Sequence, residues 1–162
     1  MKWKVAILTA SDKGAQGERD DVSAQVIREI VEDEMGGEVI EYRIVPDEVD
    51  EIMAALIEMT DYFEAHLVIT TGGTGLAPRD VTPEATKNVI DKEVPGIAEA
   101  MRMGAMHKTR RAMLSRGICG IRGNSLIINL PGSPKGVSES LHAIVDQLPH
   151  ALYIMTGQLT EH

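Results

Sequence analysis

Among the 162 residues there is one cysteine, Cys119. A lone thiol has no partner for an internal disulfide, so a disulfide-stapled extracellular scaffold is excluded and a cytoplasmic protein is the simpler expectation. Long apolar runs are also lacking. Residues 5–10 are apolar behind the basic start Met1-Lys2-Trp3-Lys4, but they meet Ser11-Asp12-Lys13 at once. That is too short for a signal peptide, and no other stretch is long enough to span a bilayer. An excess of positive charge is missing as well: the net charge of -9 argues against general nucleic-acid binding. There are no repeats, low-complexity tracts or linker-like segments, so residues 1–162 are expected to form one domain. With 43% hydrophobic and 25% charged residues, the composition is that of an ordinary globular protein.

The charge that is present is unevenly placed. Residues 1–70 hold 6 basic and 17 acidic side chains, a balance of -11, whereas residues 71–162 hold 10 and 8, a balance of +2. Residues 100–138 contain no acid but seven bases: Arg102, Lys108, Arg110, Arg111, Arg116, Arg122 and Lys135. This stretch is either a solvated basic face or the wall of a pocket for a small anion, whose local concentration clustered positive charge raises.

Hydrophobic periodicity sets out the elements. Residues 5–8 predict a short buried strand, followed by a loop over 11–17. Val22, Val26, Ile27, Ile30, Val31 and Met35 share one helical face, with Asp20, Asp21 and Ser23 as candidate N-caps and Gly36-Gly37 as the stop. Residues 39–45 predict a second strand, Ile52 to Phe63 a second helical stripe, and residues 67–70 a third strand. Later come helices over 84–92, capped by Thr82 with Pro83 at the first position, and over 95–107. Strands over 113–121 and 126–130 are joined by a turn at Arg122-Gly123-Asn124. A helix carrying Val137 to Leu148 is broken by Pro149, and a last helix starts near Ala151. The β-α-β-α-β order with short connections implies an α/β fold, three layers deep, with a mostly parallel central sheet.

The stretch "TTGGTGLAPRDVTPEAT", residues 70–86, follows the third predicted strand. In open α/β sheets ligands bind beyond the carboxyl ends of strands. Glycines at 72, 73 and 75 admit positive φ and close approach of a ligand to the main chain, and successive exposed N–H groups make an anion cradle. No Gly-Lys-Ser/Thr follows, so this is not a Walker A loop, and Pro78 replaces the third glycine of the dinucleotide fingerprint. Pro78 and Pro83 stiffen the chain on both sides of Arg79-Asp80. A held acid beside an anion cradle suits Mg²⁺, which takes carboxylates along with substrate phosphates; the alternative is that Asp80 pairs with Arg79 or caps a turn. Ser11 and Asp12 follow the first strand, Asp47 and Glu48 the second. The turn Pro131-Gly132-Ser133-Pro134-Lys135 lies between a strand and a helix. Alone, Asp47 is a helix cap. Converging with Asp80 and two phosphate-type turns, it becomes part of a site.

These segments, "TTGGTG", "PRDVTPEAT", "AMLSR" and "LIINLPGSPK", together with "VPDE" and Ser11-Asp12-Lys13, resemble the molybdopterin adenylyltransferase family of molybdenum-cofactor biosynthesis proteins, related to gephyrin. The resemblance covers nearly the whole chain. It implies a three-layer fold, assembly as a homotrimer or hexamer, and transfer of AMP from ATP to the phosphate of molybdopterin with Mg²⁺, releasing pyrophosphate. It assigns catalysis and metal binding to Asp47 and Asp80. ATP or its phosphates fall to Ser11, Asp12, Gly72, Gly73, Thr74 and Gly75, and molybdopterin to Ser115, Arg116, Gly132, Ser133 and Lys135. A downstream molybdenum insertase is the implied partner, with no nucleic acid or membrane involved. Ala24 and Lys13 depart from a frequent glycine and arginine of the family, and Lys13 loses the bidentate contact an arginine would make. Two alternatives share the fold: a non-catalytic pterin-binding scaffold, and a Mg²⁺-dependent nucleotide pyrophosphatase that needs no pterin.

Overall fold

The computed structural model describes residues 2–17 and 20–158; Met1, the first residue of the basic start, lies outside them. The first strand, β1 (Trp3–Ala10), runs into a short helix, α1 (Asp12–Ala15), and then into α2 (Val22–Glu34). Strand β2 (Gly37–Val45), helix α3 (Val49–Ile57) and strand β3 (Leu67–Thr71) follow. The second half comprises α4 (Thr82–Val89), β4 (Lys92–Glu93), α5 (Pro95–Met106), β5 (Cys119–Arg122), β6 (Ser125–Leu130), α6 (Pro134–His142) and α7 (Leu148–Met155). None of the described helices is long and apolar enough to cross a membrane.

The six strands form one sheet in the order β2-β1-β3-β6-β5-β4. β2, β1, β3 and β6 are parallel; β5 runs antiparallel to both β6 and β4. The alternation of side chains explains why helices cover both faces. Val5, Ile7, Leu67, Ile69, Leu126 and Ile128 point into a core shared with α2, α5, α6 and α7. Ala6, Leu8, Val68 and Ile127 point the other way, into a core shared with α3 and α4. All five residues of β3 are buried, as a central parallel strand requires. The chain leaves β1 for β2 on one side and enters β3 on the other, so the crevice beyond β1 and β3 is a topological switch point.

Several elements differ from the sequence expectation. The segment expected as a strand over 113–121 is a 3₁₀ turn (Arg110–Leu114) and an extended stretch before the four-residue β5. The backbone of Arg116 donates to the Thr74 carbonyl at 2.8 Å, so this segment pairs with the glycine-rich turn instead of the sheet. Residues 92–93 are a strand, not the end of a helix. Thr82 is the first residue of α4 and Val81 its cap, because the Thr82 N–H is taken by the Gly73 carbonyl at 3.1 Å. The stripe from Ile52 to Phe63 ends its α-helix at Ile57 and widens into a π-turn (Glu58–Tyr62). Pro149 opens α7 within its first turn, where its missing N–H costs nothing, and does not separate it from what precedes. Ser11 begins a helix, not a loop, by accepting the Gly14 N–H at 3.0 Å.

Candidate functional site

Three parallel strands end side by side at the switch point, and each end carries an acid or a glycine turn. Beyond β1 and β2, Asp12 and Asp47 bind each other's backbone. The Asp12 N–H donates to Asp47 Oδ2 and the Asp47 N–H to Asp12 Oδ1, both at 3.0 Å. Arg79 clamps this pair from the loop after β3. Its Nε and Nη2 donate to the two oxygens of Asp12 at 2.6 and 3.0 Å, and Nη2 also reaches Glu48 at 2.8 Å. Arg79 therefore serves Asp12, not its neighbour Asp80. Asp80 caps its own turn, its Oδ2 accepting the Ala77 N–H at 3.0 Å.

The electrostatics of the two strand-end acids are opposite. The Arg79 guanidinium, helped by the Asp47 N–H, holds the Asp12 carboxyl below its ordinary range. Burial pushes Asp47 up, and the charges of Asp12 and Asp80 push the same way. Asp47 Oδ1 is buried and has no hydrogen-bond partner among the described residues, and neither does the hydroxyl of fully buried Thr82. Both lie against Gly73: a β-carbon there would stand 2.3 Å from Thr82 Oγ1 and 3.3 Å from Asp47 Oδ1. Gly73, with φ of 70°, thus keeps open the space beside two unsatisfied oxygens. The N–H groups of Gly73, Thr74 and Gly75 make no backbone hydrogen bond to the described residues, as an anion cradle needs. That of Gly72 is spent on the Leu130 carbonyl at 3.2 Å.

The turn after β6 is pinned from two sides. Thr71 Oγ1 donates to the Pro131 carbonyl at 2.6 Å and Ser23 Oγ to the Gly132 carbonyl at 2.7 Å. Ser133 caps α6 by accepting the Gly136 N–H at 3.0 Å. Two cavities open on either side of this turn and share a wall of Gly73, Asp80, Gly132 and Ser133. The larger, about 690 Å³, lies over the switch point and takes in Ser11, Asp12, Asp47 and Gly72, with Asp21 and Ser23 of the first long helix and its cap. The smaller, about 430 Å³, lies between α5, α6 and the 109–117 segment, with Met101, Leu114, Ser115 and Glu139 in its lining.

The structure therefore gathers most of the residues singled out from sequence, but divides them differently. Thr74 and Gly75 face the smaller cavity beside Ser115, whereas Gly73, Gly132 and Ser133 face both. Arg116 and Lys135 line neither. Arg116 braces the loop from behind: it donates to the carbonyls of Gly75 and Asp80, each at 2.8 Å, and forks onto Glu84 at 2.6 and 3.2 Å. Lys135 is exposed in the first turn of α6. Sequence reasoning named Arg102 only within the acid-free basic stretch; it lines the smaller cavity, where its Nη1 donates to the Ser115 and Gly117 carbonyls at 3.2 and 2.8 Å. It took Asp21 as a cap only; Asp21 does cap α2, and its other oxygen accepts the hydroxyls of Thr9 and Tyr42 at the cavity edge. Cys119 is buried in the core, its thiol pushed up to about 12 by burial, and is not a nucleophile.

Comparison with known proteins bears on the same site. A molybdopterin adenylyltransferase of Helicobacter pylori is 44% identical over 154 residues, covering 94% of this chain and 88% of its own. The Escherichia coli protein of the same name is 36% identical over 171 residues, with 98% and 88% covered. The crystal structure of the molybdopterin biosynthesis enzyme MoaB from Thermus thermophilus superposes with a TM-score of 0.91 at 52% identity, over 96% of this chain and 97% of that one. Residues 6–150, from β1 into α7 and so including both cavities, match the molybdenum-cofactor biosynthesis family described as a probable molybdopterin binding domain, and the chain belongs to that family.

Proposed function

We propose that the protein is a molybdopterin adenylyltransferase, acting as one domain that transfers AMP from ATP to the terminal phosphate of molybdopterin and releases pyrophosphate. The observation that carries this reading is the shared wall. Two cavities large enough for separate reactants meet at Gly73, Asp80, Gly132 and Ser133, where a bond between their contents could form. ATP suits the larger cavity, which the glycine turn enters at Gly72 and Gly73. The pterin suits the smaller, where Met101, Ala98, Ala105 and Leu114 give apolar contact to a flat ring and Ser115 adds a hydroxyl. Relatives named for this activity match the chain over nearly its full length, which supports the same chemistry here.

Transfer to the α-phosphorus requires alignment and neutralisation more than covalent help. Gly73, Thr74 and Gly75 can offer N–H groups to phosphate oxygens. Arg79 keeps Asp12 paired, so that Asp12 does not add free negative charge where phosphates enter. The chain's residues also fit Mg²⁺. Asp47 Oδ1 is an orphaned carboxylate oxygen and Asp80 lies in the adjoining wall. No cluster of three or more His, Cys, Asp or Glu capable of holding a metal occurs among the described residues. A two-carboxylate site completed by phosphate oxygens and water is the pattern Mg²⁺ takes, and the ion would supply neutralisation of developing charge there.

The homotrimer and the cytoplasmic location implied by the resemblance belong to this proposal, as does delivery of the product to a molybdenum insertase. Exposed Leu76, Met103, Met113 and Leu114 provide apolar surface for self-association. The test is turnover with molybdopterin, ATP and Mg²⁺, beside Asp47→Ala and Asp80→Ala. Wild type is expected to release pyrophosphate and form adenylyl-molybdopterin, with each variant slower by at least about 100-fold. Tight pterin binding without any product would leave a scaffold, and hydrolysis of a dinucleotide without pterin would leave a pyrophosphatase.

A further inference from the structure

Helix α6 turns one face toward α5. Gly136, Glu139 and Ser140 of that face line the smaller cavity, and Ala143, one turn on, packs so closely on α5 that a β-carbon at Gly104 would stand 2.6 Å from its own. Glu139 is therefore held in the groove between two helices, not on an outer surface. Its Oε2 is buried and accepts no hydrogen bond from any described residue. The two guanidinium groups in the same lining do not satisfy it: Arg102 is bonded to the Ser115 and Gly117 carbonyls, and Arg111 donates no hydrogen bond to Oε2. A carboxylate oxygen taken from water without a donor is costly, and folding alone gives no reason to place one there.

We infer that Glu139 recognises the amino edge of the pterin ring, an assignment that rests on the reading of this cavity as the pterin site. The 2-amino group and N3–H of a pterin form two adjacent donors in one plane, the arrangement a guanidinium presents to a carboxylate. Such a pair is bidentate and charge-assisted. Among the acids of the lining, Asp80 also faces the larger cavity, whereas Glu139 faces the smaller alone. A ring held by Glu139, with its phosphate arm directed to the wall shared with Asp80, matches the separation between recognition and reaction that the two cavities impose. Glu139 is thus a specificity residue and takes no part in phosphoryl transfer.

The experiment is equilibrium binding of molybdopterin to wild type, Glu139→Gln and Ala105→Trp, with ATP affinity and the single-turnover rate at saturating pterin measured alongside. The glutamine is isosteric but turns an amide N–H₂ toward the ring's donors. Its pterin affinity is expected to fall about 10- to 100-fold, with ATP affinity and the single-turnover rate at saturating pterin within about twofold of wild type. Equal pterin affinity would overturn the assignment, and so would a parallel loss of ATP affinity, which marks a structural role. Ala105→Trp fills the cavity; if it still binds molybdopterin normally, the pterin-site reading itself fails, whatever Glu139→Gln does. Should the glutamine variant not fold, Glu139→Asp keeps the charge but shortens its reach. It is expected to weaken pterin alone by a smaller factor, and unchanged affinity overturns the assignment equally.

Discussion

Asp47 is the residue at which the proposed function and stability pull apart. Its carboxyl is pushed up by burial and by the neighbouring charges of Asp12 and Asp80, so the ionised form is disfavoured in the folded protein. A group whose folded pKa is raised contributes stability below the unfolded carboxylate pKa and loses it as pH rises through the folded value. Asp47→Asn removes that loss while its carbonyl oxygen can still accept the Asp12 N–H. The variant is expected to melt higher than wild type at pH 7, with the difference vanishing as the pH falls through the carboxylate range, and to be inactive. Thermal unfolding at a series of pH values checks this; a lower melting point at pH 7 would show that the charged form stabilises the fold. Asp12 carries the opposite sign. Arg79 depresses it, so its contribution is present above the unfolded carboxylate pKa and lost as the pH falls. Both acids were legible in the sequence from their place after predicted strands. Their pairing was not, because reciprocal bonds between residues 35 positions apart depend on strand order.

The glycine-rich turn is held by contacts that a reading of propensity does not reach. Gly72 and Gly73 take positive φ, and the turn's carbonyls at Gly73 and Thr74 accept the N–H groups of Thr82 and Arg116. Beside the prolines at 78 and 83, the Arg116 fork ties Gly75, Asp80 and Glu84 into one unit. Removing the fork leaves two carbonyls without donors. Arg116→Ala is expected to cost about 2 kcal/mol of stability and to lower kcat through displaced Asp80, with a smaller effect on pterin affinity. Arg116→Lys is expected to recover little, since an ammonium cannot span three acceptors in a fixed plane. Denaturant unfolding and steady-state kinetics measure both, and an unchanged kcat would show that Asp80 is positioned without the fork. Long periodic elements such as α2 and β3 were legible, because their apolar spacing states which face is buried. The 110–118 segment was not. Its apolar Met113, Leu114 and Ile118 suggest a strand, but the backbone of Arg116 is captured by the turn at Thr74, and that capture exists only once the fold has formed.

At the scale of the whole molecule, the sheet order decides what the chain can do. Placing β1 between β2 and β3 opens the crevice beneath Asp47 and Gly72, and placing β6 beside β3 brings the Pro131–Ser133 turn against it, dividing the space in two. The parallel α/β character was legible from the alternation of apolar strands and amphipathic helices. The division was not, since it depends on α5, α6 and the 110–118 segment enclosing a second cavity. Two cavities with a common wall have a kinetic consequence. Under the proposed assignment each reactant occupies one, whereas the adenylylated product occupies both through a single covalent link. Binding of its second half is then intramolecular, at an effective concentration far above that of free AMP. The product is expected to bind about 100- to 10,000-fold more tightly than AMP or molybdopterin alone, and its release is expected to limit turnover. Rapid mixing with excess substrates should therefore give a burst of pyrophosphate close to one equivalent per site, followed by a slow steady phase. Linear release from the first turnover would mean that the two cavities do not hold the two halves of one product. Where the burst is seen, a variant that weakens one half alone, such as Glu139→Gln, should speed the slow phase, because release requires both halves to let go together.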